Sequence, residues 1–173
     1  QTSITISNDI PVVVYRDRSD QEIRDISISK LVKDRWSKPV TINDDKWKIY
    51  GCPVNGPSIE SLGNNIAVAW FTVSNGSPSI NLKYSINEGK TFGNLIKVNE
   101  EDSKPLGRID LEMLDDGSVI VSWIDVYDGK GKISLRKIGV DGKKGNIINP
   151  AKISIKRISG FPQIESLKKH LIH

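Results

Sequence analysis

The 173 residues are 37% hydrophobic and 27% charged, a balance that excludes an intrinsically disordered chain and allows one sizeable core. Basic side chains outnumber acidic ones by 25 to 21, and the resulting +4 is scattered instead of forming a basic face interleaved with aromatics, so nucleic acid is not an expected partner. The apolar runs Ile10 to Val14 and Ile66 to Phe71 are far shorter than the roughly 20 residues of a spanning helix, so no membrane span is expected.

The first elements are β-patterned. Ser3 to Ser7 and Ile10 to Arg16 flank an Asn8-Asp9 turn signal, and Glu22 to Leu31 and Val40 to Asn43 follow, bounded by Ser19-Asp20 and by Trp36-Ser37-Lys38-Pro39. A second set comprises Ser58 to Leu62, Ile66 to Val73, Ile80 to Ser85 and Leu95 to Val98. The repetition is literal: Thr2 to Tyr15 aligns without a gap with Pro57 to Trp70, at an offset of 55. A third copy, Arg108 to Leu114 followed by Ser118 to Trp123, sets Trp123 at an offset of 53 from Trp70. A fourth begins at Gly160-Phe161-Pro162, where Ile164-Glu165-Ser166-Leu167 echoes Ile59-Glu60-Ser61-Leu62. No window sustains helical spacing, and isoleucine and valine dominate the apolar positions.

Four short antiparallel strands every 50 or so residues describe a β-propeller blade, which buries itself only by stacking on its neighbours. The expected fold is therefore all-β, with 1–173 forming a single partial propeller domain. Its blades are expected at about 2–55, 56–106 and 107–159, with a fourth beginning at 160–173. Tyr15, Trp70 and Trp123 end the second strand of successive blades and are expected to pack between them. A β-sandwich also uses short strands, but it would not repeat residue types at equivalent positions.

Strand direction sorts the loops. Turns between second and third strands share a face with the connections into the next blade, and that face is expected to hold ligands. It gathers Arg16, Asp17, Arg18, Asp20 and Glu22, then the connection Asp45 to Gly56 with Trp47, Tyr50 and Asn55, then Arg108. The charges of Arg16 to Asp25 form either a salt-bridged solvated turn or an arginine grip on a carboxylate or sugar hydroxyls. Trp47 and Tyr50 either stack on a sugar ring, with Asn55 bonding its hydroxyls, or cap the blade edge. Cys52, the single cysteine, excludes an internal disulfide and reads as a small buried residue. His170 and His173, three apart, would point to opposite faces of a strand, so no metal and no cofactor are expected. The chain opens at Gln1, in strand-like sequence, so a targeting segment upstream is an open expectation.

Tyr84-Ser85-Ile86-Asn87-Glu88-Gly89-Lys90-Thr91-Phe92 resembles the Asp-box of sialidase-like propellers built from bacterial neuraminidase repeats, with Asn87 in place of the usual Asp. Tyr15 to Asp20, Arg24-Asp25-Ile26, Cys52 to Pro57, Pro105 to Arg108 and Gly160-Phe161-Pro162 resemble the bacterial exo-sialidase-like branch of that family. The resemblance implies a six-bladed ring of which this chain is a part, and an extracytoplasmic location, periplasmic or secreted. It gives Ser85, Asn87, Gly89, Thr91 and Phe92 a structural role in a turn on the face away from the ligand.

The resemblance also implies a glycan or acidic sugar as ligand and sialidase-type exo-glycosidase hydrolysis in the intact protein. Arg16, Arg18 and Arg108 would then grip the substrate carboxylate, Asp17 or Asp20 would be the acid, and Glu22 the base partner. The alternative is a non-catalytic propeller that binds carbohydrate or protein on the same face. Six blades at roughly 50 residues each need about 300 residues, so further blades of the same chain, or self-association, are expected to complete the ring.

Overall fold

The computed structural model describes residues 2–51, 55–74, 76–156 and 160–166, and among these every regular element is a strand. In the first sheet β1 (Thr2–Ser7), β2 (Ile10–Arg16) and β3 (Ile26–Val32) pair in chain order. Here β4 (Arg35–Trp36) extends β3 as a short hairpin and β5 (Val40–Asn43) forms the outer strand. The second sheet is β6 (Ser58–Leu62), β7 (Asn65–Thr72), β8 (Ser79–Ser85) and β9 (Ile96–Lys97). The third is β10 (Lys104–Met113), β11 (Val119–Tyr127), β12 (Lys130–Ile138) and β13 (Ile148–Ile153). All neighbours are antiparallel, and the sheets succeed one another as the blades of a partial β-propeller.

The sequence alignment reappears as strand register. Ser3 pairs with Val14, and Ser58 and Ala69, their counterparts 55 residues on, pair in the same way. The innermost strands are joined sideways. Thr5 Oγ1 donates to Ser61 Oγ at 2.9 Å, Ser61 Oγ to the carbonyl of Ile6 at 2.8 Å, and Ser7 Oγ to the carbonyl of Gly63 at 2.7 Å. Ser58 Oγ reaches Asp110 Oδ1 at 3.4 Å, and the next inner segment docks through Ile164 N to Asp110 Oδ2 at 2.8 Å and Ser166 N to Glu112 Oε1 at 3.1 Å.

Apolar side chains fill the spaces between sheets. Trp70 and Trp123 are fully buried, whereas Tyr15 is half-buried and its sheet face carries the exposed Ile4 and Ile6. Trp70 Nε1 donates to Asp45 Oδ2 at 2.6 Å, while Trp123 Nε1 has no partner among the described residues.

Two elements depart from the sequence reading. The run predicted from Glu22 begins as strand only at Ile26, because Asp17 N bonds the Asp25 carbonyl at 2.8 Å and Ser19 N the Ile23 carbonyl at 3.0 Å, closing residues 17–25 into a loop. The run from Leu95 shortens to Ile96–Lys97, since the Asn99 side chain accepts the Ile80 N–H at 2.8 Å in place of a ladder bond. Cys52, His170 and His173 lie outside the described residues, as does Leu167.

Candidate functional site

Register fixes two rims. Thr2, Tyr15, Arg16, Ile26 and Asn43 end their strands on one rim, and Ser7, Ile10 and Lys30 lie toward the other. Ser85 to Thr91 belong to the second rim, where the Glu88 N–H reaches the Asn64 carbonyl at 2.8 Å. Ser85 Oγ accepts from Gly89 N at 2.8 Å, and Asn87 Oδ1 accepts from Thr91 N at 2.9 Å. Gly89 has φ of +74°, and a Cβ there would come within 3.1 Å of Ile28 Cδ1, so this turn seals the joint between the first two blades. The ring of Phe92, just beyond the turn, packs on the core.

On the first rim, Arg16 and Arg108 are connected through Asn55. Arg16 donates to the carbonyls of Arg24 at 2.8 Å, Phe71 at 2.6 Å and Asn55 at 3.2 Å. Its guanidinium lies 4.8 Å from the centroid of the half-buried Trp47 ring, which meets Phe71 edge-on. Burial pushes the Arg16 guanidinium down to about 10, opposed by Asp45 and Asp25. Asn55 Nδ2 donates to the Leu106 carbonyl at 2.7 Å, and its Oδ1 accepts the Arg108 N–H at 3.0 Å. Arg108 is buried, donates to the carbonyls of Gly160 at 3.1 Å and Lys156 at 3.0 Å, and lies over Phe161. Arg16, Asn55 and Arg108 thus clamp successive blades together by bonds to backbone, and the Trp47 ring packs against the first of them.

The outer part of the rim is different. Glu22, in the left-handed region at φ of +64°, lies between two arginines: Arg18 Nη2 at 2.5 Å from Oε1 and Arg24 Nη2 at 2.7 Å from Oε2. The Arg18 hydrogen bond is the main cause that holds Glu22 below the ordinary carboxylate range. Arg24 also donates to the Gly51 carbonyl at 3.1 Å, and its buried Nε has no partner among the described residues. Arg18, Glu22, Arg24, Gly51 and Tyr50, whose ring is 80% exposed, line an open pocket of about 470 Å³. Asp17 folds back on its own loop, accepting from Arg18 N at 2.8 Å and Ser27 Oγ at 3.3 Å, and Asp20 is exposed at the loop tip.

Arg24 and Glu60 were not singled out from the sequence. Arg24 entered as part of the Arg24-Asp25-Ile26 resemblance and as one more charge in a dense loop, and nothing in the spacing marked it as the residue that anchors Glu22. Glu60 faces Glu112 and Asp110 from the neighbouring inner strand. Desolvation first, then those two charges, push it up to about 7. Its signal was present but unread: the fully buried core strand β7 pairs with the strand that carries it.

No family model and no curated protein matches this chain. Among solved structures, it is similar to the crystal structure of a thermostable family-43 glycoside hydrolase, with a TM-score of 0.57 and 13% identity, over 88% of this chain and 53% of that one. At that identity the likeness is one of fold, and it agrees with the propeller architecture built from the strand register. The chain spans about half the length of the solved structure it matches.

Proposed function

We propose that this chain is the glycan-recognising part of a sialidase-like propeller, and that it takes acidic sugars into the rim pocket of Arg18, Glu22, Arg24 and Tyr50. The observation that carries the reading is the composition of that pocket: two guanidinium groups against one carboxylate, beside the exposed Tyr50, whose ring has Lys48 Nζ 5.2 Å from its centroid. Arginine pairs bidentately with carboxylates, and an exposed ring offers a stacking face for a sugar. The fold shared with a glycoside hydrolase is compatible with it. A location outside the cytoplasm belongs to the same proposal.

Binding is favoured over hydrolysis on these blades by a specific feature. Glu22, the expected base partner, has its two oxygens in ion pairs with Arg18 and Arg24. Arg16 and Arg108, expected to grip a substrate, have donors committed to backbone carbonyls. Sialidase-type turnover is the second reading. Asp17 or Asp20 as acid and Glu22 as base partner would have to act with groups supplied by further blades.

Titration with N-acetylneuraminic acid and with methyl β-galactoside, followed by backbone NMR shifts, tests the first reading. The acidic sugar is expected to perturb residues 18–24 and 50–51, and Arg18→Ala to weaken binding at least tenfold with the fold intact. Equal response to both sugars, or an unaffected variant, overturns it. Release of a fluorogenic sialoside by the intact protein, abolished in Glu22→Gln, would replace binding with catalysis.

A further inference from the structure

The arginine pocket already holds a carboxylate, and it is the protein's own. Glu22 has its backbone in the left-handed region at φ of +64°, an unfavourable place for a residue with a Cβ, and it is pinned there from both sides. Its N–H reaches the Ser19 carbonyl at 3.0 Å, and its carbonyl accepts the Ile49 N–H at 3.1 Å. Ser19 Oγ accepts the Ile23 N–H at 3.2 Å and closes the same turn. The loop thereby aims the Glu22 side chain at the two guanidinium groups that line the pocket.

The arginines hold that carboxylate unequally. The Arg24 side chain, 13% exposed, donates to Glu22 Oε2 at 2.7 Å and also to the Gly51 carbonyl at 3.1 Å, so the pocket wall retains it without help from Glu22. The Arg18 side chain is 64% exposed, and among the described residues its guanidinium bonds Glu22 alone, through Nε at 3.2 Å and Nη2 at 2.5 Å. Both bonds end on Oε1, because Oε2 is taken by Arg24. One edge of Arg18 therefore spends two donors on a single oxygen, whereas a free carboxylate offers that edge two oxygens in parallel, the stronger arrangement.

We propose that Glu22 is an internal stand-in for the ligand's carboxylate and gates the pocket by exchange. The inference rests on the reading of this pocket as an acidic-sugar site. The incoming carboxylate takes both donors of Arg18 from Glu22 Oε1, while Glu22 keeps Arg24 through Oε2. The charge of Glu22 opposes every anion that approaches, and a one-atom anion such as chloride cannot fill both donors of Arg18 in return. The gate thus lowers affinity overall and reserves the pocket for ligands with a two-oxygen face. A Glu22 that merely presented the arginines to the ligand would act with the opposite sign.

The test is calorimetric titration of the whole chain with N-acetylneuraminic acid and with its methyl ester, which lacks the charge. Glu22→Gln, which keeps the shape and removes the charge, is expected to raise affinity for the acid by at least about threefold, and Glu22→Ala to raise it as well. Neither variant gains for the ester. Asp128→Asn removes an exposed carboxylate between β11 and β12 and is expected to leave the affinity unchanged. An affinity that Glu22→Gln and Glu22→Ala leave unchanged or lower overturns the gate, and so does an equal gain from Asp128→Asn or for the ester. In those cases the acidic-sugar site still stands, provided that the unaltered chain binds the acid and Arg18→Ala weakens it. No binding of the acid by the unaltered chain or by either Glu22 variant removes the site and the gate together.

Discussion

The first and second blades are built from the same repeat, yet equivalent positions behave differently. In β7 almost every residue is buried, because a sheet covers each face; in β2 burial alternates, because one face meets the second blade and the other carries Ile4 and Ile6 at 62% and 67% exposure. Tyr15 and Trp70 occupy matching places, and only the one between two sheets is core. A repeat therefore specifies where a large ring goes, while its neighbours decide how much that ring stabilises.

Substitution at the paired rings gives the largest test of that contrast. Trp70→Ala should cost about 3–5 kcal/mol in urea unfolding, and Tyr15→Ala about 1 kcal/mol. Equal losses would break the comparison. A smaller effect separates the two buried indoles: Trp70→Phe removes the donor to Asp45 Oδ2 and should cost about 1–3 kcal/mol more than Trp123→Phe, where no hydrogen bond is lost.

Glu60 sharpens the comparison from the inner joint, through pH. Its carboxyl is raised to about 7 in the folded chain, above the 4.5 of an ordinary glutamate, so the native state holds the proton more tightly than the unfolded one. Stability from this group is complete below about pH 4.5 and is lost as pH rises through 7. Glu60→Gln should remove that decline and stabilise the chain at pH 8 by about 1 kcal/mol, discounted for partial exposure. Parallel stability profiles for the two proteins would refute it. The smallest effect is expected at Arg18→Ala, whose urea midpoint should match that of the unaltered chain, since the Arg18 side chain is exposed.

The architecture was legible because propeller packing repeats side-chain types at fixed strand positions, and the offset of 55 returned as pairing register. Burial of Trp70 and Trp123 followed from the same periodicity; the half-exposure of Tyr15 did not, because sequence similarity between blades carries no information about which faces are covered. The rim was harder to read. Arg16 and Arg108 drew attention as charges on a ligand-facing loop, but whether a guanidinium serves a ligand or a carbonyl depends on where distant backbone lies, as at Phe71 and Gly160.

The sideways bonds between inner strands make the row modular. Thr5 and Ser7 reach forward to Ser61 and Gly63, Ser58 reaches forward to Asp110, and Asp110 and Glu112 receive the segment that follows. Each unit thus carries a plug on one flank and a socket on the other. A unit inserted whole between two others would bring both fittings with it, so this joint lets units be added to the row without new kinds of contact.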